Sequence, residues 1–238
     1  MSELTLSNLL DDAALYSFEH QLQLADVVGD RGWSVDLRAG RFTLTGDQPI
    51  ECERMHLLGS AAPGPRSWLW SWGNPAGYPE TVTGLAQSVR EVGIRYGISQ
   101  LADVEVPFAA LPTPMELPEH VVNVFMDAAK AISGVWTAYS GPVGGGTRAA
   151  FLIEHPLFQL PAPEPARVMR VLQQGLTEFP ITDRRRALHS YANHRGLQIQ
   201  WSPGHTEATV TGPGLSATAT FDQLARLTGI DAHLGARS

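Results

Sequence analysis

The sequence predicts an α+β protein: an antiparallel meander sheet packed against helices, with a second, smaller α+β subdomain or pseudo-repeat. Three observations lead there. A chain of 238 residues is long enough to bury one large core or two modest ones. Several stretches repeat apolar residues every three or four positions, the period of an amphipathic helix. Between them, short alternating runs are joined by brief turns, which makes neighbouring strands antiparallel.

The first helix is expected to start at Ser7 or Asn8, with Asp11 and Asp12 near the positive end of its dipole. Leu15, Phe18, Leu22 and Ala25 form its apolar stripe, and Gly29 and Gly32 end it. Trp33, Val35 and Leu37 then alternate with Ser34, Asp36 and Arg38, and a turn at Ala39-Gly40 leads into Phe42 and Leu44, a hairpin pattern. Runs from Cys52 to Gly59 and from Ser67 to Gly73, joined by a turn over 61–65, complete a four-stranded meander. Pro79 opens a helix carrying Val82, Leu85, Ala86, Val89, Val92 and Tyr96, stopped by Gly97. Two helices on one sheet face make a complete layer pair.

The stretch 99–118 is punctuated by prolines and reads as a linker with one short strand near Val104 to Phe108. A helix from Glu119 to Ser133 and a hairpin of Val135 to Ser140 with Arg148 to Glu154 follow. A second proline cluster, Pro156 to Pro165, divides the chain into residues 1–155 and 156–238. The C-terminal part reads as helices at 165–179 and 183–195 and strands at 197–202, 207–211 and 215–220. Thr220-Phe221-Asp222-Gln223 fits a capping box, so a last helix is expected to Gly229. The run Asp30 to Leu37 has an echo in His194 to Trp201, each after a helix and before a turn, which suggests a repeated helix–hairpin unit.

Composition excludes several classes. Hydrophobic residues are 43% and charged residues 17%, which rules out a disordered chain. The single cysteine, Cys52, excludes a disulfide framework and any cysteine-rich zinc site. No apolar run approaches the roughly 20 residues that cross a bilayer, and Met1 to Leu10 lacks a signal-peptide pattern, so a cytoplasmic protein without membrane attachment is expected. The net charge of −7 argues against nucleic-acid binding. It is uneven: residues 1–160 carry 18 acidic and 9 basic groups, and the remainder 6 and 8. Arg184-Arg185-Arg186, at a helix start, therefore suggests either an anion site or a face bridging to the acidic part.

Catalytic motifs are absent. No Gly-x-Ser-x-Gly elbow occurs. Cys52 and His56 lie four apart on a strand, roughly 13 Å along it, too far for a dyad. The histidines show no metal-ligand spacing, and the Gly144-Gly145-Gly146 run lacks the lysine of a phosphate loop. No catalytic residue, metal or cofactor is expected.

One surface remains. In Ser67 to Pro75, Trp68, Trp70 and Trp72 would all point to one side of a strand. They form either a hydrophobic seam under the helices, the wall of a cup, or an interface that a partner buries. In the cup, Asp36, His56 and Asn74 are the rim groups around an apolar or aromatic small ligand.

At this stripe the chain resembles a family. Phe18-x-x-Gln21, Gly32-Trp33-x-x-Asp36, Leu58-Gly59-Ser60 and Trp68-Leu69-Trp70-Ser71-Trp72-Gly73-Asn74 together are similar to a bacterial domain of unknown function. Arg90-Glu91-x-Gly93-x-x-Tyr96-Gly97-Ile98 continues the pattern, while Ser71 and Gly73 stand where that family more often has alanine. The resemblance spans residues 8–110, reaching towards Ile153, and leaves the C-terminal part outside it. It implies a cytoplasmic bacterial protein and brings no activity, cofactor or catalytic residue. The sequence thus points to a non-enzymatic binding or interaction module using the aromatic sheet face. The alternatives are a small-molecule enzyme with Asp36 or His56 moving a proton in a Trp-lined cavity, and an adaptor acting through the basic C-terminal helix. Nothing in the sequence sets an oligomeric state.

Overall fold

In the computed structural model, which describes residues 4–113 and 115–234, six helices and three antiparallel sheets are present among the described residues. The protein is α+β, with antiparallel sheets packed against helices. Its chain forms two compact units: Met1–Leu9 with Gln21–Gln159, and Leu10–His20 with Leu160–Ser238. The long first helix, α1 (Leu6–Val28), thus contributes its middle to the second unit. Its cap is Thr5, two residues before the earlier of the two expected positions; its hydroxyl accepts from the Asn8 N–H while the Asn8 side chain bonds back.

The first unit departs from the predicted meander. β1 (Trp33–Asp36) and β2 (Arg41–Leu44) form the expected hairpin, but β2 then pairs with the two-residue β3 (Ile50–Glu51) in a sheet of its own. β4 (Arg54–Ala62) and β5 (Ser67–Trp70) join β6 (Glu105–Pro107), β7 (Ala138–Gly144) and β8 (Thr147–Glu154) in a five-stranded sheet of order β6-β5-β4-β8-β7. The cause is long-range pairing. Arg54 lies opposite Glu154 and Ala61 opposite Arg148, so β4 is drawn away from β2 by a strand about a hundred residues on. Such pairing leaves no local trace in the sequence.

This sheet is buried on both faces. Ala149, Phe151 and Ile153 of β8 enter a cluster with Phe42, Leu44, Met55, Leu57 and Val82. Ala150 and Leu152 point the other way, and the row Trp70–Gly59–Ala150 places the tryptophans on that second face. There α4 (Pro118–Ser133) covers them: Trp68 stacks on Phe125 at 4.5 Å, and Trp70 meets both rings edge-on. The Trp70 indole N–H donates to the Gln100 carbonyl at 3.0 Å, so its one polar atom is satisfied inside the core. The helix α2 (Glu80–Tyr96), predicted from Pro79, contributes Val82 to the first cluster, and the short α3 (Ser99–Ala102) occupies part of the expected linker.

The second unit places α5 (Pro165–Glu178) and α6 (Arg184–His194) with four strands, β9 (Gln198–Trp201), β10 (Glu207–Gly212), β11 (Leu215–Phe221) and β12 (Leu227–Leu234), in the order β12-β11-β10-β9. Ala208, Val210, Leu215, Ala217, Ala219 and Phe221 are buried, while Thr209, Thr211, Ser216 and Thr218 alternate with them at half exposure. One sheet face is therefore apolar and the other polar. The middle of α1 packs here through Leu15, which sits so close to α5 that a Cβ on Gly175 would lie 2.3 Å from it.

The expected last helix is replaced by β12. Asp222 does not cap a helix; its carboxylate accepts from the Leu224 and Arg226 N–H groups at 2.9 Å, and Ala225 adopts φ +60°. That is turn geometry, and it returns the chain antiparallel to β11.

Close packing under Trp68 gives a direct check. A Cβ on Gly59 would lie 2.3 Å from the Leu69 carbonyl and 2.6 Å from the Trp68 ring. Gly59→Ala is expected to lower stability by about 1–3 kcal/mol, read as a lower denaturant midpoint at unchanged slope. An unchanged midpoint would show that the sheet is not packed this tightly.

Candidate functional site

The residues proposed to ring a cup are dispersed. Trp68 and Trp70 are fully buried core residues. Trp72 leaves the strand: Ser71–Gly73 form a 3-10 turn, anchored by the Ser71 hydroxyl donating to the Leu57 carbonyl at 2.6 Å. The half-buried Trp72 ring instead carries the Arg90 guanidinium 4.3 Å from its centroid. Asn74 makes a local turn, its side-chain oxygen accepting from the Ala76 N–H.

Asp36 is exposed on the separate three-stranded sheet, accepting from the Ala39 and Arg38 N–H groups and from Arg41. Those bonds, the Ala39 N–H foremost, hold its carboxyl below the usual range, the opposite of what a general acid at neutral pH requires. His56 bonds its cross-strand neighbour Glu154, Nε2 to Oε1 at 2.9 Å. Cys52 is buried and its thiol is pushed up to about 12, chiefly by desolvation, so it is not a thiolate nucleophile.

Two features of the second unit were not singled out from the sequence. The first is a buried charge centre on α1. Glu19 has no exposed surface; one carboxylate oxygen accepts from the Tyr191 hydroxyl at 2.9 Å and meets Arg195 Nε at 3.0 Å, while Arg167 Nε lies 3.9 Å from the other. Burial raises the Glu19 carboxyl above its ordinary range even though Arg195, Tyr191 and Arg167 all oppose the shift. Two turns earlier, Asp11 accepts from the Thr182 and Asp183 N–H groups, and Asp12 holds Arg186 through two bonds.

The arginine triplet is thereby accounted for. Arg184 donates to the Leu176 and Ile181 carbonyls. Arg185 donates to the Asp222 carbonyl and lies over the Phe221 ring, and Arg186 binds Asp12. Every one of them bonds a neighbour in its own unit. A sequence signal for Glu19 existed, because its position on the apolar side of α1, one residue after Phe18, is unusual for a carboxylate.

The second feature is the outer edge of β12. A groove of about 490 Å3 runs beside it, lined by Ala166, Met169, Arg170, Gln173 and Gln174 of α5 and by Ala232. Asp231, Ala232 and His233 are exposed, although Ala232 belongs to the apolar face through its pairing with Ala217. α5 packs on the edge strand, and Ala232 stays exposed beside the groove between them. Other sheet edges are blunted: β6 has three residues and ends in Pro107, β7 carries Pro142, β1 and β9 have four residues, and β3 has two. β12 has eight residues and no proline.

These features define a helix-backed antiparallel α+β protein in which the buried Glu19 is paired and, among the described residues, β12 is the one long proline-free strand edge. The chain belongs to the family of unknown function DUF6882, whose model matches residues 7–156. The match takes in α1 to β8 and ends before α5, so Glu19 lies inside it and Arg167, Tyr191 and Arg195 beyond it. No curated protein and no solved structure matches the chain. Among the described residues no helix is long and apolar enough to cross a membrane, and no three His, Cys, Asp or Glu side chains group as metal ligands do.

Glu19→Ala would leave Arg195 and Arg167 without their buried counter-charge and is expected to cost about 3–5 kcal/mol. Glu19→Gln keeps an acceptor and should cost less. Because the folded carboxyl titrates above its unfolded value, the stability it confers is fully present below the unfolded pKa and is lost as pH rises through the folded one. The Gln variant should therefore lack that decline in unfolding titrations from acid to neutral pH. Equal slopes in both proteins would show that Glu19 does not titrate in this way.

Proposed function

We propose that this protein is a non-catalytic interaction module whose contact element is the open edge of β12 and the groove beside α5. The observation that carries this reading is that β12 is the long, proline-free edge in a protein whose other described edges are short or blunted. An exposed edge offers a row of unpaired N–H and C=O groups, and an added strand satisfies them while side chains enter neighbouring pockets. The groove supplies such a pocket: Met169 gives an apolar floor and Arg170, Gln173 and Gln174 a polar rim. The dispersal of Asp36, His56 and the three tryptophans supports a binding role over an acid–base one, and moves the contact from the sheet's face to an edge in the other unit.

Amide hydrogen exchange tests it. Exchange over residues 227–234 is expected to slow when the edge is occupied, either at high protein concentration or with added extended peptides. Ala232→Lys, which places a charge on the edge and in the groove, should abolish the slowing without moving the unfolding midpoint. If the β12 amides exchange identically in both proteins under every condition, the edge is not the contact element.

A further inference from the structure

We infer that the strand added to β12 is β12 of a second copy, antiparallel across a two-fold axis passing through Ala232. This rests on the edge-contact reading above and names its partner.

Parity restricts the pairing. In an antiparallel pair, residues directly opposite each other point to the same face of the sheet. On β12, Ile230 and Ala232 lie on the apolar face with Ala219 and Ala217, and Asp231 and His233 lie on the polar face with Thr218 and Ser216. A continuous sheet that keeps both apolar faces on one side must therefore pair even-numbered residues with even and odd with odd. The axis then passes through a residue, not between two.

Charge distinguishes the registers left: an axis through Ile230 sets Asp231 opposite Gly229 and His233 opposite Leu227 and forms no charge pair. An axis through Asp231 would set two carboxylates directly opposite, which is unfavourable. An axis through Ala232 sets Asp231 opposite the partner's His233, and His233 opposite the partner's Asp231. A carboxylate accepts a hydrogen bond from an imidazole N–H in either protonation state and gains an ion pair when the ring is charged. Two such pairs form by symmetry, both at exposed positions. The same axis brings Ala232, a small side chain at the groove, against its own copy, where strands and α5 helices can approach closely. Ile230, half-buried on the apolar face, flanks it. The two four-stranded sheets become one of eight strands, whose outer described strands are the two copies of the four-residue β9.

Sedimentation equilibrium of the full chain across protein concentration, together with a charge exchange, tests the inference. The wild-type protein is expected to be in monomer–dimer equilibrium. His233→Glu places acid against Asp231 and Asp231→Lys places lysine against His233; each should weaken dimerisation by about tenfold or more, since two pairs are altered per dimer. The double variant D231K/H233E restores opposite charges and should return the constant to within about threefold of wild type. All three keep exposed residues exposed, and their unfolding midpoints serve as the folding control.

A wild-type chain that stays monomeric while peptides still slow exchange in β12 would overturn the second copy and leave the edge-contact reading intact. A dimer insensitive to these variants and to Ala232→Lys would overturn both. Single variants that dissociate without rescue by the double would overturn the Ala232-centred register.

Discussion

The second unit depends on a carboxylate that has been taken out of water. Glu19 has no exposed surface, and an ionised group there is tolerated only because Arg195, Arg167 and the Tyr191 hydroxyl converge on it. Asp11 and Asp12, two helical turns away, fasten the same stretch of α1 to the start of α6. The three acids lie along the helix so that α6 is gripped near both ends. A purely apolar contact would allow α1 to slide or rotate by a residue. Directional bonds to Thr182, Asp183, Arg186 and Tyr191 allow one register.

What was legible in the sequence was what local chemistry controls. α2 and α4 follow from their apolar period, and Gly97 and Gly134 stop them in the left-handed conformation. The β7–β8 hairpin follows from alternation around a glycine turn. The split of the predicted meander was not legible, because β4 pairs with a strand that lies far along the chain. Trp72 was misplaced because a period of two continues on paper through Ser71 and Gly73, whereas the Ser71 hydroxyl bond to Leu57 turns the chain. At Thr220 a capping pattern and a strand end looked alike, and Asp222 with its neighbours decided for the turn. Of the candidate contact surface, nothing was legible: an edge is defined by what fails to lie beside it, and that is a property of the assembled sheet.

The tryptophans illustrate how a conspicuous composition can mislead about function. Two large rings, one stacked on Phe125 and one edge-on to it, are what a two-sided sheet needs to fill the space under α4. Their rigidity gives the first unit a defined core, and that is a sufficient reason for their number. Recognition chemistry needs groups left unsatisfied by folding. On the edge of β12 such groups are backbone amides and carbonyls, which no composition count registers.

The distance along the chain between Glu19 and Tyr191, 172 residues, has a consequence during synthesis. At about 5–20 residues per second, a ribosome takes roughly ten to thirty seconds to travel that far. During that interval the middle of α1 has been made while α6 does not yet exist. A helix in a protein draws most of its stability from packing, and until that packing exists Glu19 remains hydrated on α1. The first unit's strands, complete by Glu154, are available to form meanwhile. The middle of α1 is thus held back from its final surroundings, and its carboxylates reach their partners only once α6 has been made.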